Sequence, residues 1–123
     1  MSEILRTDGP VSLRQPAGGL ELEVLEWAGG DATLLLLHGY LDCAGSFGPL
    51  VRRLPAGLHV LAPDLRGHGR SDRVGAGGWY HFPDYVRDVK GLIDARARDR
   101  LFVVGHSMGG SVAVMLAGAW PER

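Results

Sequence analysis

At 123 residues the chain is sized for one domain, and one domain is the expectation. Hydrophobic residues at 46% and charged residues at 22% exclude a disordered tail or a fibrous protein. A formal net charge of −1, with the basic residues scattered rather than grouped, gives no electrostatic footprint for nucleic acid or an anionic membrane surface.

The expected domain runs over residues 1–123, with a lead-in to about residue 10 and a core over residues 11–123. The lead-in, MSEILRTDGP, lacks the charged start and apolar block of a secretory signal. Even the longest apolar runs, Thr33 to Leu37 and Leu101 to Val104, fall far short of the roughly 20 residues that span a bilayer. A cytoplasmic location is therefore the expectation. Cys43, the only cysteine, fits a reducing compartment and reads as a small hydrophobe rather than a nucleophile.

Val11 to Arg14 and Leu20 to Trp27 alternate as two strands separated by PAGG, which predicts an antiparallel hairpin. Thr33 to Leu37 is an unbroken apolar run, the pattern of a strand covered on both faces. Phe47, Leu50, Val51 and Leu54 predict a helix over residues 45–54, stopped by Pro55. Leu58 to Ala62 reads as a short strand closed by Pro63. Tyr85, Val86, Val89, Leu92 and Ile93 share one face of a helix predicted from Pro83 to about Ala97. Leu101 to Val104 is the last strand and Ser107 to Ala119 the last helix. Strands alternating with helices predict an α/β fold: an antiparallel hairpin, then a mostly parallel sheet with flanking helices.

Between that last strand and helix, Gly105, His106, Ser107, Met108 and Gly109 spell G-x-S-x-G, and the strand-to-helix context makes this loose pattern informative. A turn this tight puts the serine in an unfavourable backbone conformation, so small residues must flank it. Gly105 and Gly109 meet that need, and Gly110 widens the margin. Ser107 is the candidate nucleophile. The N–H of Met108, at the start of the helix, is a candidate oxyanion donor, a role worth about 3 to 4 kcal/mol in known cases. His38 and Gly39 end the central strand and let the chain bend over the serine, which makes the N–H of Tyr40 the candidate second donor.

APDLRGHGRSD contains Gly67-His68-Gly69, but Asp72 stands where a dinucleotide fingerprint needs its third glycine, so cofactor binding is rejected. A polar turn with Arg66, Arg70 and Asp72 available for ion pairs is the expectation there.

HGY after one strand, PDLRGHGRSD after the next and GHSMGG at the last turn together resemble the α/β-hydrolase superfamily, particularly its bacterial esterase, perhydrolase and carbon–carbon hydrolase branches. The resemblance covers about residues 11–123. It implies a serine nucleophile at Ser107, an oxyanion hole from Tyr40 and Met108, no metal or organic cofactor, and acyl transfer to water from a small ester-like substrate. A serine at this turn argues against the dehalogenase and epoxide hydrolase branches, which place aspartate there.

In that family the acid and the histidine follow the nucleophile, whereas only sixteen residues follow Ser107 here and none is His or Asp. Glu122 lies beyond the helix stop, and His38, His68 and His106 read as structural. The expectation is the N-terminal half of a hydrolase fold, without C-terminal strands and cap and inactive alone. The competing expectation is a non-catalytic half-domain that self-associates through its open sheet edge.

Overall fold

In the computed structural model, which describes residues 6–123, β1 (Val11–Ala17) and β2 (Leu20–Trp27) form the predicted hairpin. Its turn is narrower than PAGG. Only Gly18 and Gly19 turn, at φ of +59° and +83°, the doubly positive pattern that matches the twist of two-residue hairpins. Pro16 and Ala17 stay in the ladder opposite Glu21 and Leu20, because β1 is an edge strand and an edge tolerates proline.

The remaining strands are β3 (Ala32–Leu37), β4 (His59–Pro63) and β5 (Arg100–Gly105), in the sheet order β1-β2-β4-β3-β5. β3 runs parallel to both β4 and β5, while β2 is antiparallel to both β1 and β4. The sheet is thus the expected antiparallel hairpin followed by parallel strands, joined where β2 docks antiparallel against β4.

β3 alternates between two cores, which explains its unbroken apolar run. Leu35 and Leu37 pack with α2 (Phe82–Arg96) and α3 (Met108–Ala119), whereas Leu36 packs on the other face with Trp27, Ala44, Val51 and Val60. Burying one such side chain is worth roughly 1.5 to 3 kcal/mol.

The helix expected over residues 45–54 is replaced by a 3₁₀ turn (Ala44–Phe47) and a single α-turn, α1 (Gly48–Val51). Gly45 and Gly48 weaken the segment, and Pro49 fits only in a first turn, so propagation fails. Val51 is still fully buried, so the periodicity identified the inward face but not the element.

The helix expected from Pro83 forms as α2, with His81 N–H donating to Asp84 Oδ2 at 3.1 Å at its start and Tyr85, Val86, Val89, Leu92 and Ile93 buried. Residues 1–5 of the lead-in lie outside the described residues. Arg6 is buried, and its guanidinium donates to Ala28 O at 2.6 Å and Pro55 O at 3.1 Å. No described helix is long and apolar enough to cross a membrane.

Candidate active site

Ser107 joins β5 to α3 at φ +54° and ψ −114°, a conformation that costs a non-glycine residue of order 1 to 3 kcal/mol. Three close approaches hold it there. A Cβ on Gly105 would lie 2.2 Å from Gly109 O, and one on Gly109 would lie 2.2 Å from Leu37 O. A Cβ on Gly39 would meet the His106 ring at 3.1 Å and Ser107 Cβ at 3.3 Å. The glycines therefore let β5, α3 and the loop after β3 converge on one point.

Serine at a helix start usually caps it with its hydroxyl, but Ser107 makes no side-chain capping bond. The residue is exposed, and its Oγ has no hydrogen bond to any other described residue. Met108, at the first helical position, has an N–H with no intrahelical acceptor, while Gly109 N–H is taken by His106 O at 2.9 Å.

The loop after β3 is ordered by His38, which is fully buried. Its Nδ1 donates to Gly39 O at 2.7 Å and its Nε2 accepts Leu65 N–H at 2.9 Å, so the ring is the neutral Nδ1–H tautomer. Burial, the largest cause, pushes its pKa below the usual histidine value. Gly39 O also accepts Asp42 N–H at 3.2 Å. Because a trans peptide is planar, fixing Gly39 O fixes the N–H of Tyr40 in the opposite direction. That N–H has no acceptor among the described residues. Leu41, next in the chain, is the only other non-glycine residue described at positive φ, +63°. Asp42, a partly exposed carboxylate, is held below its usual pKa chiefly by the Ser46 hydroxyl.

No histidine reaches Ser107 by a hydrogen bond. His38 is committed as described, and His68 Nδ1 lies 3.0 Å from Arg66 O. His106 precedes the serine, and its exposed ring lies against Gly39 without a hydrogen bond to Ser107 among the described residues. Glu122 lies past the far end of α3, about 18 Å of helix from Ser107.

Of the expected ion pairs, Arg66 and Asp72 form them and the Arg70 side chain does not. Asp72 pairs with Arg14 at 2.6 Å. Arg66 forks onto Asp88 of α2, with Nη2 to Oδ1 at 2.8 Å.

Two groups escaped the sequence reading. Asp64 accepts Ala44 N–H at 2.8 Å and Arg70 N–H at 3.0 Å, tying the loop after β3 to the loop after β4. Its signal was an acid directly following a strand buried along its whole length. The second is a cavity of about 480 Å³ lined by Tyr40, Met108, Gly67, His68, Tyr80 and Tyr85 among others. Tyr85 was legible from the buried face of α2, but Tyr80 lies in a loop with no periodic pattern. A more apolar cavity of about 380 Å³ between β5, α2 and α3, lined by Leu101, Ala113 and Trp120, contains none of these site groups. Among the described residues, no three His, Cys, Asp or Glu side chains gather as metal ligands would.

This architecture is the N-terminal part of an α/β-hydrolase fold. Residues 29–123 match the family described as "Serine aminopeptidase, S33", and the chain belongs to that family. It is 43% identical over 89 residues to a serine hydrolase-like protein of Danio rerio, covering 72% of this chain and 27% of that protein. It is 35% identical over 122 residues to 2-(acetamidomethylene)succinate hydrolase of Mesorhizobium japonicum, covering 99% of this chain and 43% of that protein. An epoxide hydrolase of Vigna radiata superposes with a TM-score of 0.86 at 27% identity, over 96% of this chain and 37% of its own. The chain therefore spans between 27% and 43% of the length of these relatives, which are hydrolases or hydrolase-like by description.

Proposed function

We propose that the protein is a serine hydrolase in which Ser107 attacks the carbonyl of a small ester-like substrate, with Tyr40 and Met108 N–H groups receiving the oxyanion. One observation carries the reading: Ser107 is strained, exposed and excused from capping its own helix, at a point where glycines bring the His38–Gly39 loop against it.

In the mechanism, Ser107 Oγ adds to the substrate carbonyl carbon and loses its proton to a base. The carbonyl oxygen becomes an oxyanion between the two free N–H groups, which need no reorganisation because helix α3 fixes one and His38 the other. Collapse expels the leaving group, which takes up the proton, and water then releases the acid from the acyl-enzyme. No metal or organic cofactor enters these steps. Since no base reaches Ser107 among the described residues, residues 6–123 alone are assigned no turnover; the histidine and its acid partner come from outside them. The cytoplasm is the compartment proposed, on the single cysteine.

The test is incubation of the gene's full product with a fluorophosphonate, followed by mass spectrometry of the adduct. Label on the peptide containing Ser107, abolished in Ser107→Ala, is the expected result. Absence of label, or label that survives the substitution, would remove the reading.

A second reading, a non-catalytic module that self-associates, is favoured by one observation. β5 is an edge strand of the described sheet, with Phe102 51% and Val104 47% exposed.

A further inference from the structure

The cavity between Tyr40 and Met108 is walled by aromatic rings, and His68 is among its lining residues. His68, only 8% exposed, turns Nδ1 to Arg66 O at 3.0 Å. A carbonyl can only accept, so Nδ1 carries the hydrogen, and in the neutral ring Nε2 is left with a lone pair. Nε2 is buried and has no hydrogen-bond partner among the described residues. Buried polar atoms are nearly always paired, so this one calls for a partner.

The surroundings define that partner. The His68 ring lies 5.0 Å from His38, 5.9 Å from Tyr40 and 6.4 Å from Tyr85, centroid to centroid. Tyr80 closes another wall, its ring resting on Gly67, where a Cβ would lie 2.4 Å away, and its hydroxyl accepting Val74 N–H at 2.7 Å. Among the described residues, no lysine or arginine lines the cavity to balance a carboxylate. Tyr40 is 69% exposed and meets the His68 ring edge-on.

We propose that His68 Nε2 is the specificity-determining acceptor of this cavity, selecting uncharged carbonyl substrates whose flat apolar body carries a hydroxyl or amide N–H. The inference rests on Ser107 being the nucleophile for its meaning as substrate selection. As a statement about binding it stands apart from that reaction. A site that pairs a buried acceptor with a ligand donor rejects the analogue lacking the donor far more strongly than a purely apolar site can.

Phenol and anisole separate the two cases, since both present the same ring and only phenol donates. The full protein and its Ser107→Ala form are titrated with each, following the His68 Nε2 nitrogen resonance. The expected result in both forms is at least tenfold tighter binding of phenol, with Nε2 shifting upfield for phenol alone. In His68→Phe, which keeps the ring and removes the acceptor, the two ligands bind equally; His68→Gln, which restores an acceptor, recovers part of the preference. Equal affinities in the wild type, a phenol preference that survives His68→Phe, or an unmoved Nε2 resonance would overturn the proposal. If His68→Phe does not fold, the wild-type ratio and resonance decide. Because binding is read without turnover, failure of the Ser107 reading shows up only in the labelling test.

Discussion

Gly109 and His38 show how single residues set the site. Gly109 is required by contact rather than by dihedral angle: α3 starts so close to β3 that a methyl group would press on Leu37 O and, at 2.7 Å, on His38 O. Both obstacles are backbone and cannot swing away. Gly109→Ala is expected to lower stability by roughly 3 kcal/mol, measured by urea denaturation. A loss within experimental error would mean that β3 and α3 can separate. His38 carries a pH dependence. Its unfolded ring takes up a proton near pH 6.5, while the buried ring resists protonation until lower pH. Between those two values the unfolded state binds more protons, so stability falls as the solution is acidified below about pH 6.5. His68, Asp64 and Asp42 also act on this ring, the first opposing and the carboxylates favouring protonation. Unfolding free energies of wild type and His38→Gln between about pH 5 and pH 7 should therefore converge toward acid. Parallel curves would show that the ring's burial is not felt.

Between elements, the hairpin and the helices are joined by polar groups that periodicity does not reveal. Arg66, at the exit of β4, and Asp88, on the buried face of α2, form a forked pair with little solvent contact. Burial raises the pKa of Asp88, and Asp88 in turn raises that of Arg66. The fork geometry is that of an ionised pair. The turn glycine Gly18 makes room for it, since a Cβ there would lie 1.9 Å from Asp88 Oδ1. Asp88→Ala strands a buried guanidinium and should cost roughly 3 to 5 kcal/mol in denaturation. Replacing both partners by apolar residues of similar volume should cost much less. A second link runs across the sheet: Arg98 N–H donates to Thr33 Oγ1 at 2.8 Å, Thr33 hydroxyl to His59 Nδ1 at 2.7 Å, and His59 Nε2 to Glu26 Oε2 at 2.7 Å. Asp88 shares its helix face with Tyr85 and Leu92, so helical phase alone marks it as buried. Its partner could not be read, because Arg66 lies in a loop whose path is set by contacts far along the chain.

At the scale of the whole molecule, the sheet is covered unevenly. β3 has cores on both faces, whereas β5 shows Phe102 and Val104, and α3 shows Val114 at 74% exposed. Exposed apolar side chains on an edge strand favour pairing with another chain. A polypeptide of residues 1–123 is expected to self-associate at high micromolar concentration, and Phe102→Lys with Val104→Lys to shift it toward monomer. Size-exclusion chromatography with light scattering reads this directly, and a wild-type monomer would refute it. The sequence by itself determined the alternation of elements, the buried central strand and the tight glycine-flanked turn at Ser107, because these depend on side chains close along the chain. Apolar period, glycine and proline act locally, and GHSMGG states its own geometry. The tertiary structure alone decided that the hairpin docks against β4, that residues 44–51 break into two short turns, and that His38 orients the Tyr40 peptide. It also set His68 among Tyr40, Tyr80 and Tyr85 with one nitrogen unpaired among the described residues. Those outcomes depend on which distant groups compete for the same hydrogen bonds and the same space, and no local pattern encodes that competition.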